Sequence, residues 1–324
     1  MNAPALIALD WGTTSLRAYL LADDGAVLDT RASPAGIMKL PAGGFDQAFE
    51  ETCGPWLDAH PQLPVIAAGM VGSAQGWIEA PYVDAPADAN SLVAGIVPVQ
   101  TARGVTVLVV PGVLERGVLP NVMRGEETQI FGALASDASL NAEGGALIGL
   151  PGTHAKWAFV QQGRIERFYT FMTGETFGAL RDHTILGRTM KHDAATDASA
   201  FIRGVDTARD AGHPGVLATI FSTRTLGLTG QLTPGQQPDY LSGLLIGHEL
   251  RGLNEVLARD QSSLDGRTLR LIGNDALCDR YRAALARFGC RDAPTVAHAT
   301  EHGLYRIAAQ AGLVSAPGVR GPAT

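Results

Sequence analysis

Two short turns carry the residues best suited to chemistry. In LIALDWGTTSLRAYLLADDGAVL, residues 6 to 28, an apolar run ends on Asp10 and passes through Gly12, Thr13 and Thr14 before a second apolar run begins. In ALIGLPGTHAKWAFVQQGRIERFYTF, residues 146 to 171, the pattern returns around Gly152 and Thr153. An acid at the tip of a buried strand is costly unless it has a partner. A glycine followed by threonines offers backbone N–H groups and hydroxyls, a combination that grips polyphosphates. Either turn alone is weak evidence, because Gly, Asp and Thr populate turns for steric reasons. The duplication strengthens it: set Gly12-Thr13 beside Gly152-Thr153, and the hairpin glycines Gly25 and Gly163 follow 13 and 11 residues later. No G-x-x-x-x-G-K-[ST] loop occurs, and no G-x-G-x-x-G follows a strand, so the turns are neither a Walker loop nor a dinucleotide fingerprint.

The elements that must hold these turns follow from periodicity. Residues 5–10, 15–22 and 26–32 read as three strands, with Asp23-Asp24-Gly25 as a hairpin turn. GGFDQAFEETCGPWLDA, 43–59, has apolar residues at helical spacing, and LPVIAAG, 63–69, reads as a buried strand. A strand at 104–112 and a helix at 123–137 with acids in its first turn come next, then a polar hinge, SLNAEGG, at 139–145. After the hinge the strand–turn–strand–hairpin–strand plan restarts at 146–171. Helices are expected near 175–188, 197–209, 215–226 and 239–259, a strand and helix at 269–273 and 275–289, and a last helix at 301–312. Two lobes are therefore expected, residues 1–140 and 141–312, each with one phosphate turn, and a frayed tail at 313–324.

Bulk properties narrow the function. A chain of 324 residues is long enough for two ordinary cores. Its 46% hydrophobic and 18% charged residues, with 39 glycines, suit an α/β protein rich in strand-to-helix turns. A formal net charge of −7 without a Lys/Arg stripe argues against nucleic acid. Cys53, Cys278 and Cys290 are scattered, which suggests neither a disulfide framework nor a zinc site and fits a reducing cytoplasm. MNAPALIALDW has no charged leader, and no run reaches the roughly 18 apolar residues of a membrane span, so a soluble, unprocessed cytoplasmic protein is expected.

The ALDWGTT turn resembles the first phosphate motif of the actin, hsp70 and sugar-kinase superfamily, and LPGTHAKW resembles its second. The resemblance implies an α/β, two-lobed actin-like ATPase (ribonuclease H-like) fold, each lobe a mixed sheet flanked by helices, with a cleft between lobes. It implies ATP and Mg²⁺ as cofactors, with Asp10 as the metal-side carboxylate and Gly12, Thr13, Thr14, Gly152 and Thr153 as the phosphate grip. A lone carboxylate beside triphosphate suits Mg²⁺, which keeps several waters. The plain alternative for Asp10 is a turn cap.

Sugar kinases of the glycerol- and xylulose-kinase type open a helix with Gly-Asp-Gln, whose acid is the general base. Gly125-Glu126-Glu127 stands in the matching place. Alignment favours Glu126 over Glu127, and helix neighbours point about 100° apart. Both could instead be acids complementing the helix N-terminus. The strings MRGEETQIFGAL, LPGTHAKWAFV, FMTGETFGAL and LIGNDALCDRYRAAL, in order after the first turn, resemble the 2-dehydro-3-deoxygalactonokinase family over nearly the whole chain. That implies ATP-dependent phosphorylation of the 6-hydroxyl of 2-keto-3-deoxygalactonate. Another sugar or sugar-acid kinase, or a nucleotide-binding sensor without catalysis, is the alternative on the same fold.

A keto-acid substrate needs a receiver for its carboxylate. Arg124 is the first candidate; a surface arginine, or one paired to Glu127, is an equal reading. In related kinases the loop matching AAGMVGSAQGWIEAPYV, 67–83, contacts sugar, which nominates Gly72, Ser73, Gln75 and Trp77, although Trp77 reads equally as packing. Strand alternation sets Lys156 beside His154, where it could reach phosphate. LIGN, with Gly273 and Asn274, resembles the superfamily's adenosine motif, Asn274 replacing its usual second glycine. His248-Glu249 lacks the second histidine of H-E-x-x-H and reads as helix surface. Oligomeric state is not legible, and a homo-oligomer is compatible with the chain.

Overall fold

The computed structural model describes residues 3–191, 193–210 and 215–315. The chain opens with β1 (Pro4–Trp11), β2 (Leu16–Ala22), β3 (Val27–Ser33), α1 (Gly44–Ala59) and β4 (Val65–Ala68). Then come β5 (Tyr82–Asp84), α2 (Ala89–Ala94), β6 (Val97–Gln100), β7 (Thr106–Val109), β8 (Gly112–Glu115), β9 (Asn121–Met123) and α3 (Glu126–Ser136). The expected second copy follows as β10 (Ala146–Leu150), β11 (Ala155–Gln161) and β12 (Arg164–Phe171). The rest is α4 (Thr173–His183), α5 (Ala198–Arg209), α6 (Val216–Thr219), α7 (Ser222–Leu228), α8 (Gln237–Arg259), β13 (Leu269–Leu271), α9 (Asp275–Arg287) and α10 (Ala299–Gln310).

Within the described residues the chain forms two compact units. One comprises Met1–Ala146, Ala158–Phe168 and Val296–Thr324, the other Leu147–Trp157 and Tyr169–Thr295. The last helix, α10, thus packs in the first unit.

The first unit is built on a six-stranded sheet of order β3-β2-β1-β4-β7-β6. β1 runs parallel to β4 (Ile7↔Val65 through Asp10↔Ala68) and antiparallel to β2, where Asp10 faces Arg17. Alternation sorts the side chains of β1. Ile7, Leu9 and Trp11 pack with Phe49, Cys53, Trp56 and Leu57 of α1. Leu6, Ala8 and Asp10 point the other way, the face against which α10 packs. In the three-stranded sheet, order β5-β8-β9, a β8–β9 hairpin delivers the chain to α3.

α3 and α10 cross at glycines. A Cβ on Gly132 would lie 1.8 Å from the carbonyl oxygen of Ala299, and one on Gly303 would lie 1.9 Å from that of Thr128. Any side chain there must push the helices apart. Gly132→Ala is expected to destabilise the protein by about 1–3 kcal/mol, the usual cost of overpacking. A lowered urea midpoint would register it; an unchanged midpoint would contradict the close crossing.

In the second part of the chain the sheet order is β12-β11-β10-β13, with β10 parallel to β13 (Leu147↔Leu269). Helices α5 and α8 make its main helical pair, and Gly204 and Gly243 bring their backbones together.

Several expectations need correction. Between residues 72 and 123 the structure adds β5, α2, β6, β8 and β9, where only one strand is expected. The helix expected at 215–226 is two helices, α6 and α7, and the polar hinge is partly a 3-10 turn, Ala138–Asn141. Of the expected tail, residues 316–324 lie outside the described residues.

Candidate active site

In an open α/β sheet, ligands sit beyond the carboxyl ends of parallel strands. β1 and β4 end side by side, and the residues that follow them are held by two glycines with positive φ. Gly69, just after β4, has φ +97°, and a Cβ there would lie 2.9 Å from the carbonyl oxygen of Trp11. Gly125, at the start of α3, has φ +105°, and its Cβ would lie 3.2 Å from the Cα of Gly69. Backbone contact this tight brings the end of β1, the loop after β4 and the start of α3 to one place.

Asp10 lies at that end. Its Oδ2 is 4.0 Å from Nη1 of Arg17, and 29% of its side chain stays exposed. Burial raises its pKa most; Arg17 opposes this, and the charge of Glu301 on α10 adds to it. Nothing in the sequence around Glu301 signals that neighbour. The turn after β1 is closed by Gly12 N–H donating to the carbonyl of Ser15 at 2.9 Å. Ile37 and Met38 donate N–H bonds to the carbonyls of Gly12 and Thr13 at 3.1 and 3.2 Å, which fixes the turn from below. Thr13 and Thr14 are exposed.

The two acids of α3 differ in surroundings. Glu127 is fully buried, its Oε2 accepting from Gly125 N–H at 2.7 Å and its Oε1 from the Thr128 hydroxyl at 3.1 Å. Burial, followed by the charge of Glu126, pushes its carboxyl up to about 7. Glu126 is half-buried, with Oε2 accepting from Arg124 N–H at 3.0 Å. The helical rotation between neighbours therefore leaves Glu126 as the acid that solvent can reach.

A raised carboxyl pKa has a definite sign for stability. Between the ordinary 4.5 and about 7 the folded chain keeps a proton on Glu127 that the unfolded chain has released, so stability falls as pH rises through that window. Glu127→Gln removes the titration and can still accept from Gly125 N–H. It is expected to raise Tm at pH 8 and to give a smaller gain at pH 5; equal shifts at both would contradict this.

Arg124 reaches back toward the loop after β4. Its Nη2 donates to the carbonyl of Ala80 at 2.8 Å, and its guanidinium lies 4.3 Å over the ring of Tyr82. Nε and Nη1 are buried with no hydrogen-bond partner. A Cβ on Gly72 would lie 3.0 Å from that Nη1. Ser73 donates its hydroxyl to the carbonyl of Met70 at 2.8 Å, and Gln75 is exposed. Trp77 stacks on Phe45 (5.9 Å, 12°) and meets Trp11 edge-on (5.7 Å, 68°). Its ring is spent on the core beneath the loop.

The second unit gathers the other candidates. β10 runs through Pro151, Gly152, Thr153 and His154 into β11. The first turn of α4 packs on this bend: Glu175 N–H donates to the carbonyl of Thr153 at 3.0 Å, and the His154 ring hydrogen-bonds the Glu175 carboxylate. Lys156 is buried, and its ammonium donates to the carbonyl of His154 at 3.1 Å. Gly273 lies beside Pro151. Asn274 caps α9, its Oδ1 accepting from Ala276 N–H at 3.0 Å. A cavity of about 660 Å³ is lined by Gly152, Thr153, Thr173, Asn274 and Tyr281, among others. That volume suits a small-molecule ligand. On its wall the buried Asp239 pairs with Arg280.

Glu249 corrects the expectation of a surface helix: it is 3% exposed and hydrogen-bonded to Trp157, Thr173 and Tyr281. Among the described residues no group of three His, Cys, Asp or Glu could hold a metal ion by itself.

The chain matches the 2-keto-3-deoxy-galactonokinase family over residues 10–307. It is 34% identical over 285 residues to the 2-dehydro-3-deoxygalactonokinase of Escherichia coli (strain K12), covering 88% of this chain and 90% of that one. To the Rhizobium meliloti (strain 1021) protein named "Probable 2-dehydro-3-deoxygalactonokinase DgoK1" it is 38% identical over 287 residues, 87% of this chain and 89% of that one. A crystal structure of "a putative 2-dehydro-3-deoxygalactonokinase protein" from Sinorhizobium meliloti aligns with a TM-score of 0.81 at 34% identity, covering 94% of this chain and 98% of that one. The mixed sheets flanked by helices are those that the resemblance implies. The chain belongs to the 2-keto-3-deoxy-galactonokinase family.

Proposed function

We propose that the protein transfers the γ-phosphoryl group of ATP to the 6-hydroxyl of 2-dehydro-3-deoxy-D-galactonate, in galactonate breakdown in the cytoplasm. Family membership supports the reaction. The observation that carries the substrate class is Arg124: a guanidinium whose Nε and Nη1 are buried without a hydrogen-bond partner, two residues before a half-buried acid. A substrate carboxylate satisfies those donors, and a neutral sugar does not. Among the described residues no helix is long and apolar enough to cross a membrane.

In this reading Glu126 accepts the proton of the 6-hydroxyl as its oxygen attacks phosphorus, the new O–P bond forms and the bond to ADP breaks. Positioning and charge neutralisation supply most of the catalysis. Thr13, Thr14, Gly152 and Thr153 hold phosphate oxygens through N–H and hydroxyl groups, Gly12 closes the first turn beneath them through its N–H bond to Ser15, and Lys156 adds positive charge behind the second turn. Gly273 and Asn274 border the nucleoside. Gly72, Ser73 and Gln75 border the sugar acid, with Trp77 supporting their loop.

Asp10 fits a magnesium ion: it is one partly exposed carboxylate whose cationic neighbour is 4.0 Å away, and Mg²⁺ needs only one or two carboxylates beside phosphate and water. When bound, the ion neutralises phosphate charge. Asp10 would be the residue that holds it.

A coupled ADP-release assay over aldonic acids, keto acids and neutral sugars tests the proposal. The expected result is highest kcat/KM with 2-keto-3-deoxygalactonate. A neutral sugar preferred over every keto acid would reject the substrate; ATP binding without turnover on any acceptor would reject the enzyme.

A further inference from the structure

Glu249 lies in the middle of α8, buried, and among the described residues no lysine, arginine or histidine is a hydrogen-bond partner of it. Its carboxylate accepts three side-chain hydrogen bonds, each from a different element. Trp157 Nε1–H of β11 donates to Oε1 at 2.7 Å, Tyr281 O–H of α9 donates to Oε2 at 2.8 Å, and the hydroxyl of Thr173, the first residue of α4, donates to Oε2. An uncompensated buried carboxylate is expensive, and this one persists on donors alone.

Those donors belong to the elements that frame the turn at 152–153. Trp157 is four residues beyond Thr153, and its ring packs where a Cβ on Gly149, before the turn, would lie 2.6 Å away. Thr173 begins the helix whose next residue, Gly174, touches the turn: a Cβ there would lie 2.5 Å from the carbonyl oxygen of Gly152 and 2.8 Å from the Cα of Thr153. Tyr281 belongs to the helix capped by Asn274. Thr173, Asn274 and Tyr281 line the same cavity as the turn.

We infer that Glu249 is a positioning residue for ATP: by tying α4 to β11 and α9 it holds the backbone of Gly152 and Thr153 in the conformation that receives phosphate. The inference rests on the reading of 152–153 as a phosphate turn. Its charge state then matters. Burial pushes the Glu249 carboxyl up to about 7 against the opposing pull of its three donors. The groups that face it are the Trp157 indole, the Thr173 hydroxyl and the Tyr281 phenol, itself driven well above its ordinary value by burial and the Glu249 charge, with Cys278 behind it. His248, next in sequence, is turned to the hydroxyl of Thr219, 2.6 Å away. Protonation of Glu249 converts one acceptor into a donor and loosens the tie as pH falls through about 7.

Steady-state kinetics on the full chain between pH 5.5 and 8.5 tests this, with Glu249→Gln, Thr173→Val, Thr173→Ser and Thr153→Ala. Glu249→Gln is expected to raise KM for ATP about tenfold, to change kcat and the acceptor KM less than threefold, and to abolish the acid limb near pH 7 in kcat/KM for ATP. Thr173→Val should move KM for ATP in the same direction, and Thr173→Ser should restore it. If Glu249→Gln does not fold, Thr173→Val alone carries the test, since it cuts the tie to α4 and leaves the carboxylate. An unchanged KM for ATP in both variants, or equal losses for ATP and acceptor, overturns the inference. Thr153→Ala separates the two readings. If it raises KM for ATP while Glu249→Gln and Thr173→Val do not, only the positioning role falls; if it leaves ATP binding unchanged, the phosphate turn and the positioning role fall together.

Discussion

Glu126→Gln is expected to lower kcat by about 10² to 10⁴, the range a positioned general base supplies, while KM for ATP stays within a factor of about two of wild type. The isosteric amide still accepts from Arg124 N–H, so the start of α3 should keep its shape, and circular dichroism and Tm should not change. Glu127→Gln is the internal control. Glu127 is sealed from solvent, with its oxygens on Gly125 N–H and the Thr128 hydroxyl, so its replacement should alter pH-dependent stability far more than turnover. Should turnover collapse in the Glu127 variant and survive in the Glu126 variant, the roles are reversed and the base must work from inside the helix packing.

Arg124→Ala is expected to raise KM for the keto acid about 10- to 100-fold, the equivalent of about 1.5–3 kcal/mol for a hydrogen bond to a charged group, with KM for ATP unchanged. Arg124→Lys should not restore it, because an ammonium lacks the planar fork that pairs with carboxylate and stacks on Tyr82. The competing structural role is visible in the same contacts, since Nη2 also holds the carbonyl of Ala80. The two separate by substrate: a packing defect would weaken neutral and acidic acceptors alike, whereas loss of a carboxylate receiver penalises only the acid. Kinetics with the keto acid and with its neutral lactone or alcohol analogue make that comparison.

How much of this was legible beforehand depended on where each residue finds its partners. The first three strands, α1 and the restart at β10 follow from period and turn chemistry within short windows, and the structure places them within a few residues of expectation. The stretch from 72 to 123 did not yield, for a physical reason. Its strands β5, β6, β8 and β9 are three or four residues long, and β5 and β6 are half-exposed, so no apolar rhythm accumulates. They are strands because neighbours pair with them.

The same distinction runs through the candidate site. Asp10, Gly12 and Gly152 announce themselves locally, as polar or flexible residues interrupting apolar strands. Alternation sets Lys156 beside His154, whose carbonyl its ammonium does reach, but not its burial, since β11 is buried on both faces from Ala155 to Val160. Glu249 looked like a surface acid because its donors lie 32, 76 and 92 residues away in sequence. Between Glu126 and Glu127 the sequence offered two identical acids. Packing of α3 beneath the loop after β4 and against α10 separates them, burying one and leaving the other open.

The most direct test of the central claim is the position of the transferred phosphate. After reaction of the purified protein with ATP, Mg²⁺ and 2-keto-3-deoxygalactonate, a phosphorus–proton correlation NMR spectrum should show a phosphomonoester coupled to the two C6 protons, with ADP formed in equal amount. Phosphate on any other oxygen, or ADP accompanied only by inorganic phosphate, would contradict it.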